Sequence, residues 1–551
     1  MRTKGSDLLV AALENEGVQR IFGLPGEENL DVVESLRKSR IELVLTRHEQ
    51  AASFMAATQG RLTGSPGVCL STLGPGALNF TTGAAYAYLG AMPMIVITGQ
   101  KAIKTARQAR FQLVDIVGAM RPLTKMTRQI VSADSIPSLV REAFRVATEE
   151  RPGPVHLELP EDIAAEAATA SLIPPHQIDR PVASPATLKR VVDLILSAKR
   201  PLVMIGAAGN RPRLVEALSD FVRRSQIPFF NTQMGKGAVT GNSELYLGTA
   251  ALSERDYVHD AIERADLIIA IGHDTVEKPP FLMGANSGPK VAYVGYVSAT
   301  VEEVFHPDAE LIGDIGTSVT ALADALHQRV KPDPEFPKLR DEIHAHINER
   351  ASDDRFPVIP QRLVHDVRSV IPEDGIVCLD NGMYKIWFAR NYRTTVANTL
   401  LLDNALATMG AGLPSAIAAK CLNPQKRVLA ICGDGGFMMN SQELETAVRL
   451  KLDLVVLVIE DYAYGMIRWK QAVDKFPDFG MTFGNPDFDT YAKSYGIGGT
   501  TVKGADDLVP VLEAAFAAGG VQLVTVPVDY SENKRVLVDE LCAQVASAPD
   551  Q

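Results

Sequence analysis

The chain has 551 residues, enough for roughly three or four domains. Hydrophobic residues make up 46% and charged residues 22%, a globular balance that excludes disordered, collagen-like and disulfide-scaffold classes. Lys+Arg is 55 and Asp+Glu is 66, so the net charge is −11, which argues against a nucleic-acid partner or an anionic membrane surface but not against small anions held by a local dipole.

The opening stretch MRTKGSDLLVAALENEGV carries Asp7, Glu14 and Glu16 where a secretory leader needs an apolar run. Apolar runs such as 454–459 fall far short of the roughly 20 residues of a membrane span. Cys69, Cys378, Cys421, Cys432 and Cys542 form no C-x-x-C pair, so neither a disulfide framework nor a zinc site is expected and a reducing cytoplasm fits best.

Short apolar runs then alternate with helical patterns along nearly the whole chain, the mark of βαβ units and an α/β fold of parallel sheets. Two proline-bearing stretches interrupt it, SLIPPHQIDRPVASP at 171–185 and KPDPEFP at 331–337. Proline cannot donate to a ladder and disfavours helix before it, so both read as linkers. They divide the chain into 1–170, 186–330 and 355–530, with a tail at 531–551.

In the first piece, strand signals at 18–22, 41–45 and 68–70 run into GLPGEEN, TRHEQAASFMAA and STLGPGALN. The helical pattern after Glu49 is apolar on nearly all sides, so it is expected to be buried. Glu49 itself lies just past a strand. A carboxylate there would be partly desolvated with a proton to share, or would complement a helix dipole; the residues leave both open.

The middle piece offers four strands with Gly-rich ends: PLVMIGAAGN, IPFFNTQMGKG, ADLIIAIGHD and KVAYVGY. Gly206 and Gly209 do not make a G-x-G-x-x-G, which favours a structural α/β domain over a dinucleotide site.

The third piece carries the densest chemistry, at 427–471. A strand at 427–432 runs into Gly433-Asp434-Gly435-Gly436 as a tight turn, and Asn440 with Glu443 reads as a capping-box helix start. The next strand, 454–459, ends at Glu460-Asp461. A right-handed crossover puts Asp434 and Asp461 at the carboxyl ends of parallel strands, where ligands bind in open α/β sheets. Two hard oxygen ligands suit Mg²⁺, and glycines beside a helix N-terminus suit phosphate. A lone G-D-G is usually only a turn; the second Asp raises the Mg²⁺–diphosphate reading above it.

Taken together, FGLPGE, RHEQAA, LGPGALN and GDGG followed by ED resemble the thiamine-diphosphate-dependent enzymes, in the order of that family and across nearly the whole chain. Within it, GDGGFMMNSQELETAVRLKLDL, ARFQLVDIVGAMRPLTK, RPGPVHLELPEDI, ALATMGAGLPSAIAA and VPVDYSEN are most similar to acetolactate synthase catalytic subunits. The resemblance implies three doubly wound domains: pyrimidine-binding, middle and diphosphate-binding. It implies that Glu49 hydrogen-bonds the aminopyrimidine ring, that Asp434, Asp461 and the Ala463 carbonyl hold Mg²⁺, and that Gly433, Gly435 and Gly436 approach the diphosphate. The family often has Asn where Asp461 stands. Met409 in ATMGAG would be the wedge that bends the cofactor, although a core Met is the commoner fate. Gly382, Met383 and Tyr384 match the other diphosphate-side loop, and Gln112 matches a glutamine near the substrate. Gly26 and Asn79, in FGLPGE and LGPGALN, and Tyr464, Gly465 and Met466, beside Ala463, join the cofactor set.

The family's sites lie between subunits, so a homodimer or homotetramer is implied. The activity implied is decarboxylation of pyruvate and transfer of the two-carbon remainder to a second 2-oxoacid, giving 2-acetolactate as in branched-chain amino acid biosynthesis. Rivals are a 2-oxoacid decarboxylase, disfavoured because no adjacent His pair occurs, a relative acting on acyl-CoA or another 2-oxoacid, a Mg²⁺-dependent phosphohydrolase, and a non-catalytic paralogue. FAD is the less favoured middle-domain ligand, because GHDTVEKPPF stands where the biosynthetic type has its flavin-contacting stretch. Acceptor choice, a regulatory small subunit and the pathway served lie beyond these motifs.

Overall fold

The computed structural model describes residues 3–105, 109–175, 178–252, 256–280, 288–300, 306–331 and 333–539. Most of the tail expected at 531–551 lies outside them, as does Cys542.

Three six-stranded sheets carry the fold. The first contains β1 Arg20–Gly23, β2 Glu42–Leu45, β3 Gly67–Ser71, β4 Met94–Gln100, β5 Met126–Gln129 and β6 Pro154–Pro160. The second contains β7 Pro201–Ile205, β8 Phe229–Thr232, β9 Tyr246–Ala250, β10 Leu267–Ile271, β11 Lys290–Gly295 and β12 Ala309–Ile312. The third contains β13 Ile376–Leu379, β14 Leu400–Leu401, β15 Val428–Gly433, β16 Leu454–Glu460, β17 Gly498–Thr501 and β18 Val521–Pro527. The sequence patterns pointed to β1–β3, β7, β8, β10, β11, β15 and β16. They passed over β4–β6, β9, β12–β14, β17 and β18, among them the seven-residue buried strands β4 and β6.

The pairings within these sheets are parallel, as in β1 with β3, β7 with β10 and β15 with β16. Parallel strands are covered on both faces and therefore read as continuous apolar runs. LIIAI of β10 and LVVLVIE of β16 are buried at every position. In the middle sheet, Phe229 and Phe230 point to opposite faces and feed two separate clusters. Each is fully buried, so truncating either to Ala costs about 3–5 kcal/mol.

The strand orders are β2-β1-β3-β4-β6-β5, β12-β11-β10-β7-β8-β9 and β14-β13-β15-β16-β18-β17. The first and third are the same order counted from their own first strand. The middle one is a doubly wound order with its switch point between β7 and β10.

The chain forms two compact units. One holds the first sheet with 405–424 and 438–452, and the other holds the middle and third sheets. In the first unit, helix Glu49–Thr63 is lined by Ala51, Ala52, Ala56 and Ala57, all fully buried. Its Thr58 hydroxyl donates to Ser415 at 2.9 Å, on helix Gly412–Leu422. A Cβ on Gly60 would sit 2.0 Å from the Pro93 carbonyl, so only glycine permits this approach. The KPDPEFP stretch leads directly into helix Phe336–Ile347, with Pro337 in its first turn, where a missing N–H costs nothing.

Candidate active site

In the first unit, β2 ends at Leu45, and His48 caps the next helix by accepting from the Gln50 N–H through Nδ1. Glu49 is therefore the first residue of that helix, at the carboxyl edge of the sheet. Its Oε2 accepts from Asn79 Nδ2 at 2.9 Å. A Cβ on Gly76 would lie 3.1 Å from its Oε1, so the glycine of the LGPG loop spares that oxygen a tight contact.

Gly26 packs against Thr72, whose side chain a Cβ there would meet at 2.4 Å. The Thr72 hydroxyl donates to Glu28 at 2.7 Å, and Lys101 pairs with the same carboxylate. Burial opposes ionisation of Glu28, but these donors hold it below the usual carboxylate range. Gln112 adopts a left-handed φ of 56° and sets its carbonyl against Gly74 of the LGPG loop. Its side chain is exposed.

The neighbourhood of Met409 reaches this group through two amides. Asn440 Nδ2 donates to the Gly410 carbonyl at 2.7 Å and to Gln50 Oε1 at 3.1 Å. This corrects the capping-box expectation. The helix starts at Asp434 and ends at Asn440, and a second helix runs Glu443–Arg449. Asn440 and Glu443 are both buried, so their polar atoms go to tertiary partners rather than to a cap. Glu443 accepts from the N–H groups of Arg47 and His48 and from the Thr446 hydroxyl. Burial pushes its carboxyl up to about 7.

In the second unit, Asp434 follows β15 and Asp461 follows β16, with Gly433 and Ile459 in register. The expected turn at 433–436 is the first turn of a helix. Asp434 is buried. Its Oδ1 accepts from Gly435 N, and its Oδ2 from Tyr462 N at 2.8 Å, Asp461 N at 3.2 Å and Asn485 Nδ2 at 2.8 Å. Burial and the charge of Asp434 push Asp461 up to about 7. Tyr462 takes φ 55° to turn the chain sharply there. A Cβ on Gly465 would sit 2.5 Å from Asp461 Oδ2 and 3.7 Å from Met383 Cβ. The Ala463 carbonyl accepts from Gly465 N at 2.9 Å and keeps its second lone pair.

Gly382 and Tyr384 belong to the same edge. The Tyr384 hydroxyl accepts from Gly433 N at 2.9 Å, and a Cβ on Gly382 would strike its ring at 2.5 Å. A Cβ on Gly435 would meet Tyr464 at 3.0 Å. The edge thus brings together Gly382, Met383, Tyr384, Gly433, Asp434, Gly435, Asp461, Ala463, Tyr464 and Gly465. Gly436 lies in the first turn of the helix from Asp434, and Met466 is half-buried on helix Gly465–Val473.

Sequence reasoning missed Asn485, which bridges Asp434 and Glu460 from a loop with no motif. It also missed Tyr530, whose hydroxyl accepts from Tyr384 N and stands near both aspartates.

Three family models cover this architecture: the thiamine pyrophosphate enzyme N-terminal TPP binding domain over residues 3–119, the central domain over 188–322, and the C-terminal TPP binding domain over 380–526. The chain belongs to the thiamine pyrophosphate enzymes. Its whole-length relatives agree. It is 31% identical to the acetolactate synthase of Bacillus subtilis, over 98% of this chain and 96% of that one. It is 33% identical to the catabolic acetolactate synthase of Raoultella terrigena, over 96% of each. It is 31% identical to the acetolactate synthase isozyme 2 large subunit of Escherichia coli, over 97% of each.

For a thiamine pyrophosphate enzyme the edge at Asp434 is chemically apt. Among the described residues no cationic side chain is bonded to either carboxylate, although the Arg468 charge acts on Asp461, and such a pair suits a divalent cation, which would remove the penalty that raises Asp461. Asn485 Oδ1 is buried without a partner among the described residues, a further acceptor left for water or metal. Among the described residues, no helix is long and apolar enough to cross a membrane.

Proposed function

We propose that this chain is a thiamine-diphosphate- and Mg²⁺-dependent carboligase that makes 2-acetolactate. Two pyruvates and one proton give one acetolactate and one CO₂. The carboxylate–carbon bond of the donor breaks, and a carbon–carbon bond forms to the carbonyl of the acceptor. When bound, thiamine diphosphate supplies a nucleophilic carbon and an electron sink for the departing carboxylate. The observation that carries the reading is the fixed Glu49 carboxylate, in a chain whose whole-length relatives are named acetolactate synthases.

The protein's own residues divide the work. Asn79 orients Glu49, which accepts and returns a proton at the aminopyrimidine ring. Asp434, Asp461 and the Ala463 carbonyl would hold Mg²⁺, whose charge would offset that of the diphosphate beside the glycine-lined turn. Gly382, Met383, Tyr384, Gly433, Gly435, Gly436, Tyr464, Gly465 and Met466 form the walls of that side, and Gly26 and Asn79 those of the pyrimidine side. Met409 provides an apolar prop, and Gln112 reaches for substrate from its strained loop. Apolar walls disfavour the charged reactant relative to less charged states along the path.

Subunits pair, so that the Glu49 edge meets a diphosphate edge from a second copy. Leu30, Leu45, Leu78 and Phe111 of the first unit are exposed and open to such an interface. The middle domain carries no FAD at its switch point. A Cβ on Gly206 would sit 2.4 Å from His273 Cα, and Asn210 spends its amide on the Met234 and Lys236 carbonyls.

The test is purified protein with pyruvate, thiamine diphosphate and Mg²⁺, read by product NMR, beside Glu49→Gln. Acetolactate from the parent and a loss of about 10²–10⁴-fold in the variant is expected. The variant's melting temperature should hold, because Gln still accepts from Asn79. Acetaldehyde in place of acetolactate would move the assignment to a decarboxylase.

A further inference from the structure

Asn485 is the residue of the Asp434 edge that no sequence motif announced. It stands in the loop ahead of helix Phe488–Ser494. The backbone clips the start of that loop to the turn after β16. Tyr464 N donates to the Met481 carbonyl at 3.0 Å, and Phe483 N donates to the Tyr462 carbonyl at 3.1 Å. The rings of Tyr464 and Phe483 pack across this clip, with centroids 5.0 Å apart. Asn485, just beyond Phe483, is thereby carried back to the end of β15.

Its amide meets two carboxylates there. Asn485 Nδ2 donates to Asp434 Oδ2 at 2.8 Å and to Glu460 Oε1 at 3.1 Å. A side-chain amide has two N–H groups, so both are spent. The acceptors also fix which way the amide points, because its oxygen in that place would face two anions. Glu460 accepts in addition from the Tyr462 hydroxyl.

The two oxygens of Asp434 are loaded unevenly. Oδ2 accepts from Asn485 Nδ2, from Tyr462 N at 2.8 Å and from Asp461 N at 3.2 Å. Among the described residues, Oδ1 accepts from Gly435 N alone, at 2.8 Å. A carboxylate oxygen has two lone-pair directions, so Oδ2 has none left and Oδ1 keeps one. The last torsion of an Asp side chain is broad, and its donors therefore decide which oxygen faces where. The left-handed turn at Tyr462, φ 55°, aims two successive backbone N–H groups at Oδ2, and Asn485 adds the third donor.

We propose that Asn485 is a positioning residue for the divalent cation. It helps to hold Asp434 by Oδ2, so that Oδ1 is the oxygen offered to the metal, and it acts through its N–H groups rather than its own oxygen. The cation rests on the proposed function; the uneven loading of Asp434 does not.

The experiment is Mn²⁺ titration of the full-length protein in the presence of thiamine diphosphate, followed by electron paramagnetic resonance. The parent is compared with Asn485→Leu and Asn485→Asp. Leu keeps the branched shape with neither donor nor acceptor, and Asp keeps the oxygen but loses the N–H groups. Both variants should bind Mn²⁺ about 10–100-fold more weakly than the parent. At saturation, Mn²⁺ bound to the variants should give a spectrum different from the parent's, because a turned Asp434 carboxylate changes the ligand field. Parent-like or tighter binding in Asn485→Asp would overturn the inference, since the oxygen would then be the working atom. Weaker binding with parent-like spectra in both variants would overturn it too, because the residue would then only hold its loop. Asn485→Asp decides if Asn485→Leu does not fold. A parent that binds no Mn²⁺ with thiamine diphosphate would sink the proposed function and this inference with it. Parent binding that neither substitution changes would sink the inference alone.

Discussion

The first and third sheets have the same strand order and opposite equipment. Counted from its own first strand, each runs 2-1-3-4-6-5. After the second strand, the first sheet presents Glu49 and the third leads to Met409. After the third strand, one presents the LGPG loop and Asn79, the other Gly433 and Asp434. After the fourth, one presents Lys101 and the other Asp461. Topology supplies the same addresses at both carboxyl edges. Side chains at those addresses decide the chemistry: the first edge sets Glu49 beside an amide and pairs Glu28 with Lys101, and the third crowds two carboxylates together. On the proposed function, the first edge would handle a proton and the second would take a cation.

The largest test of this contrast removes the crowding. Asp461→Ala, which removes the oxygen ligand that Asn would keep, should abolish Mg²⁺-dependent thiamine diphosphate binding in calorimetry, as chelation of the parent should. The same change relieves like-charge repulsion with Asp434, so the metal-free variant should melt about 1–3 °C higher than the metal-free parent. A lower melting temperature would mean that Asp461 is held by contacts and not by an awaited cation.

A paired substitution sharpens the contrast further. Gly465→Ala drives a methyl into Asp461 Oδ2 and should weaken cofactor binding by about 10–100-fold. Gly76→Ala meets Glu49 Oε1 only at the edge of tolerance. It should lower turnover by about 10-fold through misplacement while leaving cofactor affinity nearly intact. Equal effects on affinity would erase the distinction between the two edges.

Glu443 gives a pH-dependent test, because it ties the segment after β15 to the start of the Glu49 helix. Its folded pKa is about 7, above the ordinary 4.5, because it is buried. The folded state therefore binds the extra proton between these values. The stability this contributes is fully present below about pH 4.5 and is lost as pH rises to about 7. The slope amounts to on the order of 3 kcal/mol at most. Glu443→Gln should flatten it in urea titrations at pH 5 and pH 7.5.

The smallest effect concerns Ala407. Ala407→Gly relieves its left-handed strain but adds unfolded-state entropy, for a net gain of about 0.5 kcal/mol in denaturant unfolding. A loss would mean that the methyl packs.

Much of the fold was legible because buried parallel strands are continuous apolar runs, and β10, β15 and β16 announce themselves in that way. β4 and β6 are buried runs of the same kind and were passed over, whereas the two-residue β14 is too short to carry any periodic signal. In the candidate site, Asp434, Asp461 and Glu49 were legible because each follows a strong strand. Asn485 was not, since only folding brings its loop to Asp434, and Asn440 was misassigned because a capping pattern is local whereas its partners are Gly410 and Gln50.

By itself, the sequence determined the alternation that builds three parallel sheets and the charges that stand at their carboxyl ends, because both depend on residues close together in the chain. Only the tertiary structure decided which of those residues meet. Asn79 orients Glu49, and Asn485 bridges Asp434 and Glu460. These bonds join positions far apart in sequence, and they form because a buried polar group must find its partner wherever the packed core presents one.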